Sequence, residues 1–238
     1  MATNFLTARW EKLVMANYEI DPQLLQKFLP FGTELDLWEG KCMISLIGFM
    51  FLDTKLKGVK VPFHSNFEEV NLRFYVKKLD HGIWKRGVVF IKEIVPKPAI
   101  TLIANLLYQE HYHTMPMKHA WEISDQNLLI EYAFYNKKKW HSFSIIAEQN
   151  QQEIALGSEE EFITEHYWGY TQLSTTKTSE YEVVHPTWKI YPTINYSIHV
   201  DFEAVYGRNF KILNDSTPCS VFLAEGSEIA VKGKSKRK

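Results

Sequence analysis

The chain has 238 residues, 45% of them hydrophobic and 14% aromatic, with 11 glycines and 9 prolines. That length can bury a core without staples, and the composition excludes collagen-like, linker-like or largely disordered material. With 27 basic and 28 acidic side chains the net charge is −1, so no overall field exists to hold nucleic acid or an anionic membrane.

Most segments have strand character. The stretch 10–18, rich in aromatic and aliphatic residues, predicts a first strand. Asp21-Pro22 supplies an N-cap and a proline at the first helical position, opening a short helix over 23–28 that Pro30 ends. Glu39-Gly40 predicts a hairpin turn between strands 33–38 and 41–52. A longer strand, 67–77, turns at Asp80-His81-Gly82 into another, 83–95, so this half reads as an antiparallel meander.

Pro96-Lys97-Pro98 then breaks the sheet. Ile100, Ile103, Leu106 and Leu107 fall at helical spacing and predict the main helix over 98–109. Strand character returns at 115–123, 128–135 and 140–147. The intervening segments are Ser124-Asp125-Gln126-Asn127 and a lysine-rich turn, Asn136 to Lys139. Ser158 with Glu161 forms a capping box, and Glu159 and Glu160 favour the positive end of a helix running to about residue 167. After a polar stretch, 171–180, short strands are expected near 181–184, 188–191, 195–200, 219–223 and 229–231. About a dozen short strands with three helices point to a closed or nearly closed β architecture, because closure removes exposed edges. Without a repeat or a compositional break, one domain is expected over 1–231, followed by a disordered basic tail, 232–238.

Cys42 and Cys219 lie far apart without metal-type spacing, and read as core residues of a protein in a reducing compartment. The first ten residues carry no signal-peptide pattern, and the longest apolar run, 43–52, is far short of the ~20 residues of a membrane helix. A cytoplasmic address is therefore expected.

The segment from Phe67 to Val76 carries the most information. Glu69, Asn71, Arg73 and Tyr75 alternate strictly with Val70, Leu72, Phe74 and Val76, so the two sets lie on opposite faces of a strand. One reading is an ordinary amphipathic strand with its polar face in water. The other is a pocket wall, in which Arg73 offers a fork to a carboxylate. Glu69 then fixes the guanidinium or accepts a proton, and Asn71 and Tyr75 add oriented hydrogen bonds.

This run resembles the Glu-x-Asn-x-Arg-x-Tyr-Val signature of the YqjF-like family of uncharacterised bacterial proteins, known as domain of unknown function 2071. The resemblance extends to Trp10, Asp21-Pro22 with Leu29-Pro30, the Leu35-Asp36 to Gly40 hairpin, Gly157-Ser158, and His185-Pro186-Thr187-Trp188. That family is distantly similar to the acetoacetate decarboxylase-like superfamily. The resemblance implies a mainly β (α+β) fold, a cone-shaped antiparallel β-barrel with about three peripheral helices, in which Glu69, Asn71 and Arg73 face inward.

Schiff-base decarboxylation needs a lysine amine that is neutral near pH 7. In true acetoacetate decarboxylases the lysine and its cationic neighbour follow a helix resembling 98–109. The matching stretch here, Gln109 to Pro116, contains no lysine, so that chemistry is not expected. An arginine often found within this helix in YqjF-like proteins is replaced by Asn105. His111-Tyr112-His113 has two readings. If the segment is extended, both imidazoles share a face and could bind a metal with His119 or Glu110, or act as acid and base. If it is helical, the rings diverge, and a polar segment at the cavity mouth remains.

The reading that follows is a small-molecule binding protein for a polar or carboxylate-bearing metabolite, without cofactor or metal. Arg73 is the anion anchor, with Glu69, Asn71, Tyr75, His111, Tyr112 and His113 at the site. One alternative is an acid-base enzyme, lyase-like or hydrolytic, using Glu69 and a histidine such as His113. Another is a structural or partner-binding barrel filled by its aromatic side chains. No nucleic-acid or membrane partner is expected, and a homo-oligomer is compatible with each reading.

Overall fold

The computed structural model of the chain describes residues 4–233 and 235–237. In chain order its elements begin with β1 (Asn4–Glu19), α1 (Pro22–Leu25), a 3-10 turn at Gln26–Phe28, β2 (Glu34–Leu35), β3 (Met43–Leu56) and β4 (Val59–Lys60). Next come β5 (Phe67–Asp80), β6 (Ile83–Val95), α2 (Pro98–Tyr108), β7 (Tyr112–Thr114), β8 (Met117–Ile123), β9 (Asn127–Asn136) and β10 (Lys139–Glu148). The rest is β11 (Gln152–Glu153), α3 (Glu159–Thr164), β12 (Trp168–Ser174), β13 (Lys177–Val184), β14 (Lys189–Tyr191) and β15 (Thr193–His199). It ends with α4 (Phe202–Tyr206), a 3-10 segment at Arg208–Asn214, β16 (Ser220–Lys232) and β17 (Ser235–Arg237).

Hydrogen-bonded neighbours in the larger sheet run β16, β1, β3, β5, β6, β12, β13, and β13 pairs again with β16, so the path of pairings returns to its start. The contacts around this circuit are antiparallel except β6–β12, which is parallel. A second, antiparallel sheet runs β15, β10, β9, β8.

Burial on both faces explains the unbroken apolar runs. In β3, Met43, Ile47, Phe49 and Phe51 join Leu13, Met15, Phe67 and Trp188 in one core, on the inner face. Ile44, Leu46 and Met50 join a second core with Tyr132, Phe134, Phe143 and Ile145 of the smaller sheet. Gly48 permits that inter-sheet contact, since a Cβ there would lie 2.5 Å from the Phe143 ring. The polar face of β5 is buried too, because the circuit of strands encloses it.

Local signals placed several elements well. Asp21 caps α1, its Oδ1 accepting from the Gln23 N–H at 2.9 Å. The main helix begins at Pro98 and ends with Gln109 in a left-handed cap, φ 57°. Of its expected stripe, Ile100 and Ile103 are half-buried but Leu106 is exposed, and the Leu107 side chain lies outside the described residues. Ser158 caps α3, but Glu161 bonds the Gly157 N–H instead of closing the box on Ser158, and α3 stops at Thr164.

Tertiary pairing overrode other expectations. Glu39-Gly40 is a tight turn between Trp38 and Lys41, yet Glu34–Leu35 pairs with Val76 and Lys77 of β5, so no extended hairpin forms. The polar stretch 171–180 is not a loop but most of the β12–β13 hairpin. Its buried Thr171, Thr178 and Glu180 find partners in Glu110, the Phe31 carbonyl and Lys78, which local hydropathy does not reveal. Among the described residues the helices number four, with two 3-10 segments, since α4 carries no stripe long enough to announce it. Two strands expected near 219–223 and 229–231 are one, β16. The basic tail contributes Lys232 to β16 and Ser235–Arg237 as β17 beside Thr178–Glu180, while residues 234 and 238 lie outside the described residues. No helix among the described residues is long and apolar enough to cross a membrane.

Candidate functional site

The alternation of β5 carries Glu69, Asn71 and Arg73 to the inner face, where all three line a cavity of about 130 Å3. Neighbouring strands extend this polar wall. Asn71 is paired with Glu93 of β6, and Glu93 with Tyr112 of β7, so their side chains form a row across three strands. A bulge in β6, where Leu72 faces Lys92 but Arg73 faces Phe90, lets both Phe90 and Glu93 reach the cavity. Glu110 and Tyr181 complete the acidic side, and Trp10, Phe49, Phe67 and Trp188 supply apolar wall.

Glu69 is held from both sides. Its Oε1 accepts from Asn71 Nδ2 and its Oε2 from the Tyr112 hydroxyl, each at 2.9 Å. Burial nevertheless pushes its carboxyl up to about 7, with those two hydrogen bonds and Arg73 opposing and Glu110 reinforcing the shift. Burial likewise raises Glu93 well above the usual carboxylate range, helped by Glu110 and Glu69, so both acids hold protons to higher pH than an ordinary carboxyl does. Oδ1 of Asn71 and Oε2 of Glu93 are buried without a hydrogen-bond partner among the described residues. Glu110 accepts from Thr171 at 2.7 Å.

Arg73 is a nine-tenths buried cation. Its Nη2 donates to the Ile163 carbonyl at 3.1 Å, its guanidinium lies 5.6 Å from the Tyr75 ring centre, and its buried Nε–H has no partner among the described residues. No carboxylate among the described residues forms an ion pair with it at 4.0 Å or less.

On the same cavity lies His166, which follows α3. Its Nε2 is 3.1 Å from Asp36 Oδ2, which also accepts from Arg86 Nε at 2.7 Å. Burial would raise the Asp36 carboxyl, but the hydrogen bonds from His166 and Arg86 outweigh it and hold it down at about 2. Burial lowers His166 to about 4, with the charges of Arg86 and Arg73 adding to it against the pull of Asp36, so the imidazole is neutral.

The expected site residues therefore divide. Glu69, Asn71, Arg73 and Tyr112 meet at the cavity. Tyr75 is buried, but its hydroxyl is taken by Ser45 at 2.6 Å and its ring packs on His166 at 4.8 Å, so it supports the wall and does not line it. The segment 111–113 is extended around Tyr112, which turns inward; His111 and His113 are exposed and point away from Glu69. His111 lines an outer groove with Lys27, Phe28, Phe90, Glu110 and Thr171, and this groove shares Phe90 and Glu110 with the cavity. His119 is used by Glu68 at 2.7 Å. Among the described residues no group of three or more His, Cys, Asp or Glu side chains is disposed to hold a metal ion.

Sequence reasoning missed Glu93, Tyr181, Asp36 and His166 as cavity or cavity-supporting residues. Glu93 left a usable signal, a lone acid between apolar Val88–Ile91 and Ile94–Val95. The other three left none.

Three solved structures share this architecture. Over 98% of this chain and 87% of its own, the acetoacetate decarboxylase of Legionella pneumophila matches with TM-score 0.65 and 10% identity. An acetoacetate decarboxylase-like enzyme from Sphingomonas wittichii RW1 matches over 99% and 93%, with TM-score 0.66 and 11% identity. The enduracididine biosynthesis enzyme MppR, complexed with pyruvate, matches over 99% and 91%, with TM-score 0.68 and 11% identity. These likenesses define the fold alone: a mainly β chain with the acetoacetate decarboxylase-like fold. Within it the chain belongs to the DUF2071 family, described as an uncharacterized conserved protein, which it matches over residues 7–228. The uncharacterized protein YqjF of Bacillus subtilis (strain 168) is 32% identical over 68 residues, a match spanning 28% of each chain.

Proposed function

We propose that this protein binds a small carboxylate-bearing organic molecule inside its circuit of strands, which we read as a cone-shaped barrel. One observation carries the reading: Arg73 is a buried guanidinium with an unpartnered Nε–H at the wall of a cavity. A buried charge without a counter-ion is costly, and a carboxylate accepting from the guanidinium would offset that cost with strong, directional hydrogen bonds. Burial raises both acids of the wall, Glu69 to about 7 and Glu93 well above the usual carboxylate range, so below about pH 7 they compete weakly for this role.

Volume limits the ligand. A cavity of about 130 Å3 is close to the ~150 Å3 that accommodates benzene. That favours a compact acid of about six non-hydrogen atoms over a long-chain or polycyclic one. MppR, of the same fold, is described with pyruvate bound, which is of this size. The cavity-lining residues include no lysine among those described, so the proposed ligand is held non-covalently and not as a Schiff base.

Calorimetric titration with pyruvate, acetoacetate and 2-oxobutanoate tests the reading. At least one should bind, and Arg73→Ala should weaken it on the order of 10- to 100-fold, the worth of a hydrogen bond to a charged group. Affinity unchanged in a folded Arg73→Ala variant would remove the anchor.

A further inference from the structure

We propose that His166, held by Asp36, is a proton acceptor in this cavity, and that with Glu69 it transfers protons between the keto and enol forms of the acid bound at Arg73. The inference rests on the binding reading above and names the chemistry of that site.

The tautomer follows from the partner. An ionised carboxylate only accepts hydrogen bonds, so the imidazole nitrogen facing Asp36, Nε2, carries the proton. Nδ1 then bears the lone pair. It is buried, has no partner among the described residues, and belongs to a side chain that lines the cavity with Arg73. An unmet buried acceptor is costly, and a ligand donating to it relieves that cost. Asp36 is itself fixed, by Arg86 and by its backbone N–H donating to the Tyr75 carbonyl at 3.0 Å, and the His166 ring is clamped between Tyr75 and Phe162 at 4.8 and 5.0 Å. A base oriented by a carboxylate and rigidly packed is the arrangement general-base chemistry requires.

Arg73 ties the two halves together. It lines the same cavity as His166 and Glu69, and its charge acts on both. The step balances without an oxidant or further reactant. Nδ1 of His166 takes a proton from the carbon beside the keto group, and the C–H electron pair becomes the C=C bond. The carbonyl π pair becomes the bond to the proton leaving Glu69. The products are the enol, an imidazolium facing Asp36 and the Glu69 carboxylate, which keeps its hydrogen bonds from Asn71 and Tyr112. The reverse step restores the ketone with a solvent-exchanged proton.

Proton NMR in D2O reads this directly as loss of the pyruvate methyl signal, with acetoacetate and 2-oxobutanoate run alongside. Wild-type protein should exchange the bound acid's protons well above the buffer rate. His166→Gln should lower that rate at least 100-fold while changing Kd less than tenfold, a split that a purely structural role would not produce. Glu69→Gln, a second variant at another wall, should also slow exchange. The rate should rise with pH through about 4, where His166 loses its proton, and fall through about 7, where Glu69 does. The charged groups facing His166 are Asp36, Arg86 and Arg73, and those facing Glu69 are Arg73, Glu93 and Glu110. Exchange no faster than buffer at saturating acid overturns the proton transfer and leaves the Arg73 anchor standing. Failure of all three acids to bind overturns the binding reading and this inference together.

Discussion

The Tyr112 hydroxyl donates to Glu69 Oε2 at 2.9 Å although β7 and β5 are not neighbours; β6, carrying Glu93, lies between them. The tyrosine reaches across a second, protonated acid to stabilise the charged form of the first. Tyr112→Phe removes that donor, so the Glu69 carboxyl should titrate at still higher pH, by about one unit for a hydrogen bond worth ~1–1.5 kcal/mol. Carbon-13 NMR of labelled glutamate side chains measures it. A titration identical to wild type would mean that Tyr112 does not act on Glu69.

Glu69 titrates near 7 in the folded protein and close to 4.5 when unfolded. Between those values the folded state binds more protons, so its contribution to stability is full below about 4.5 and is lost as pH rises through 7. Glu69→Gln should therefore be stabilised relative to wild type more at pH 8 than at pH 4.5. Urea titrations at the two pH values read the difference, and a variant that tracks wild type at both would contradict the burial effect.

His166 acts with the opposite sign. Its folded value is about 4 against 6.5, so its contribution is present above 6.5 and lost as pH falls through 4, by roughly 3 kcal/mol at most. Because the two slopes oppose each other between pH 4.5 and 6.5, the wild-type profile understates both. Across that window His166→Gln should lose stability more steeply with rising pH than wild type does, and Glu69→Gln more steeply with falling pH. Parallel profiles for all three proteins would refute the assignment.

Gly169 lies directly across from Tyr181, and a Cβ there would sit 2.2 Å from the Tyr181 ring. Tyr181 lines the cavity, so the ring cannot move without changing that wall. Gly169→Ala should cost about 1–3 kcal/mol, the usual penalty of overpacking, and weaken binding of the acid that the wild type takes. The denaturant midpoint and the titration measure the two effects, and an unshifted midpoint would show that the hairpin absorbs the methyl group.

Legibility followed the range of the interactions. Asp21-Pro22, Pro98 and Glu39-Gly40 act through their own or adjacent backbone groups, and each appears where its chemistry places it. The Glu69, Asn71, Arg73 alternation was readable for the same reason, because a period of two is a property of the strand. That Phe90 and Glu93 both face the cavity was not, because the bulge in β6 shifts the alternation between them. His111 and His113 looked like the richer chemistry, yet the inward turn of Tyr112 sends both away from Glu69.

The sequence by itself determined that one face of the Phe67–Asp80 strand would be polar and would carry a cation, an acid and an amide at fixed spacing. Whether that face met water or a cavity was decided only when β13 paired with β16 and enclosed it. Other long-range pairings set Asp36 against His166, 130 residues away, and, across β5, β6 and β7, Tyr112 against Glu69, 43 away. Backbone period and turn chemistry are local energies that a short segment settles alone, whereas the solvation of a buried charge depends on every strand that surrounds it.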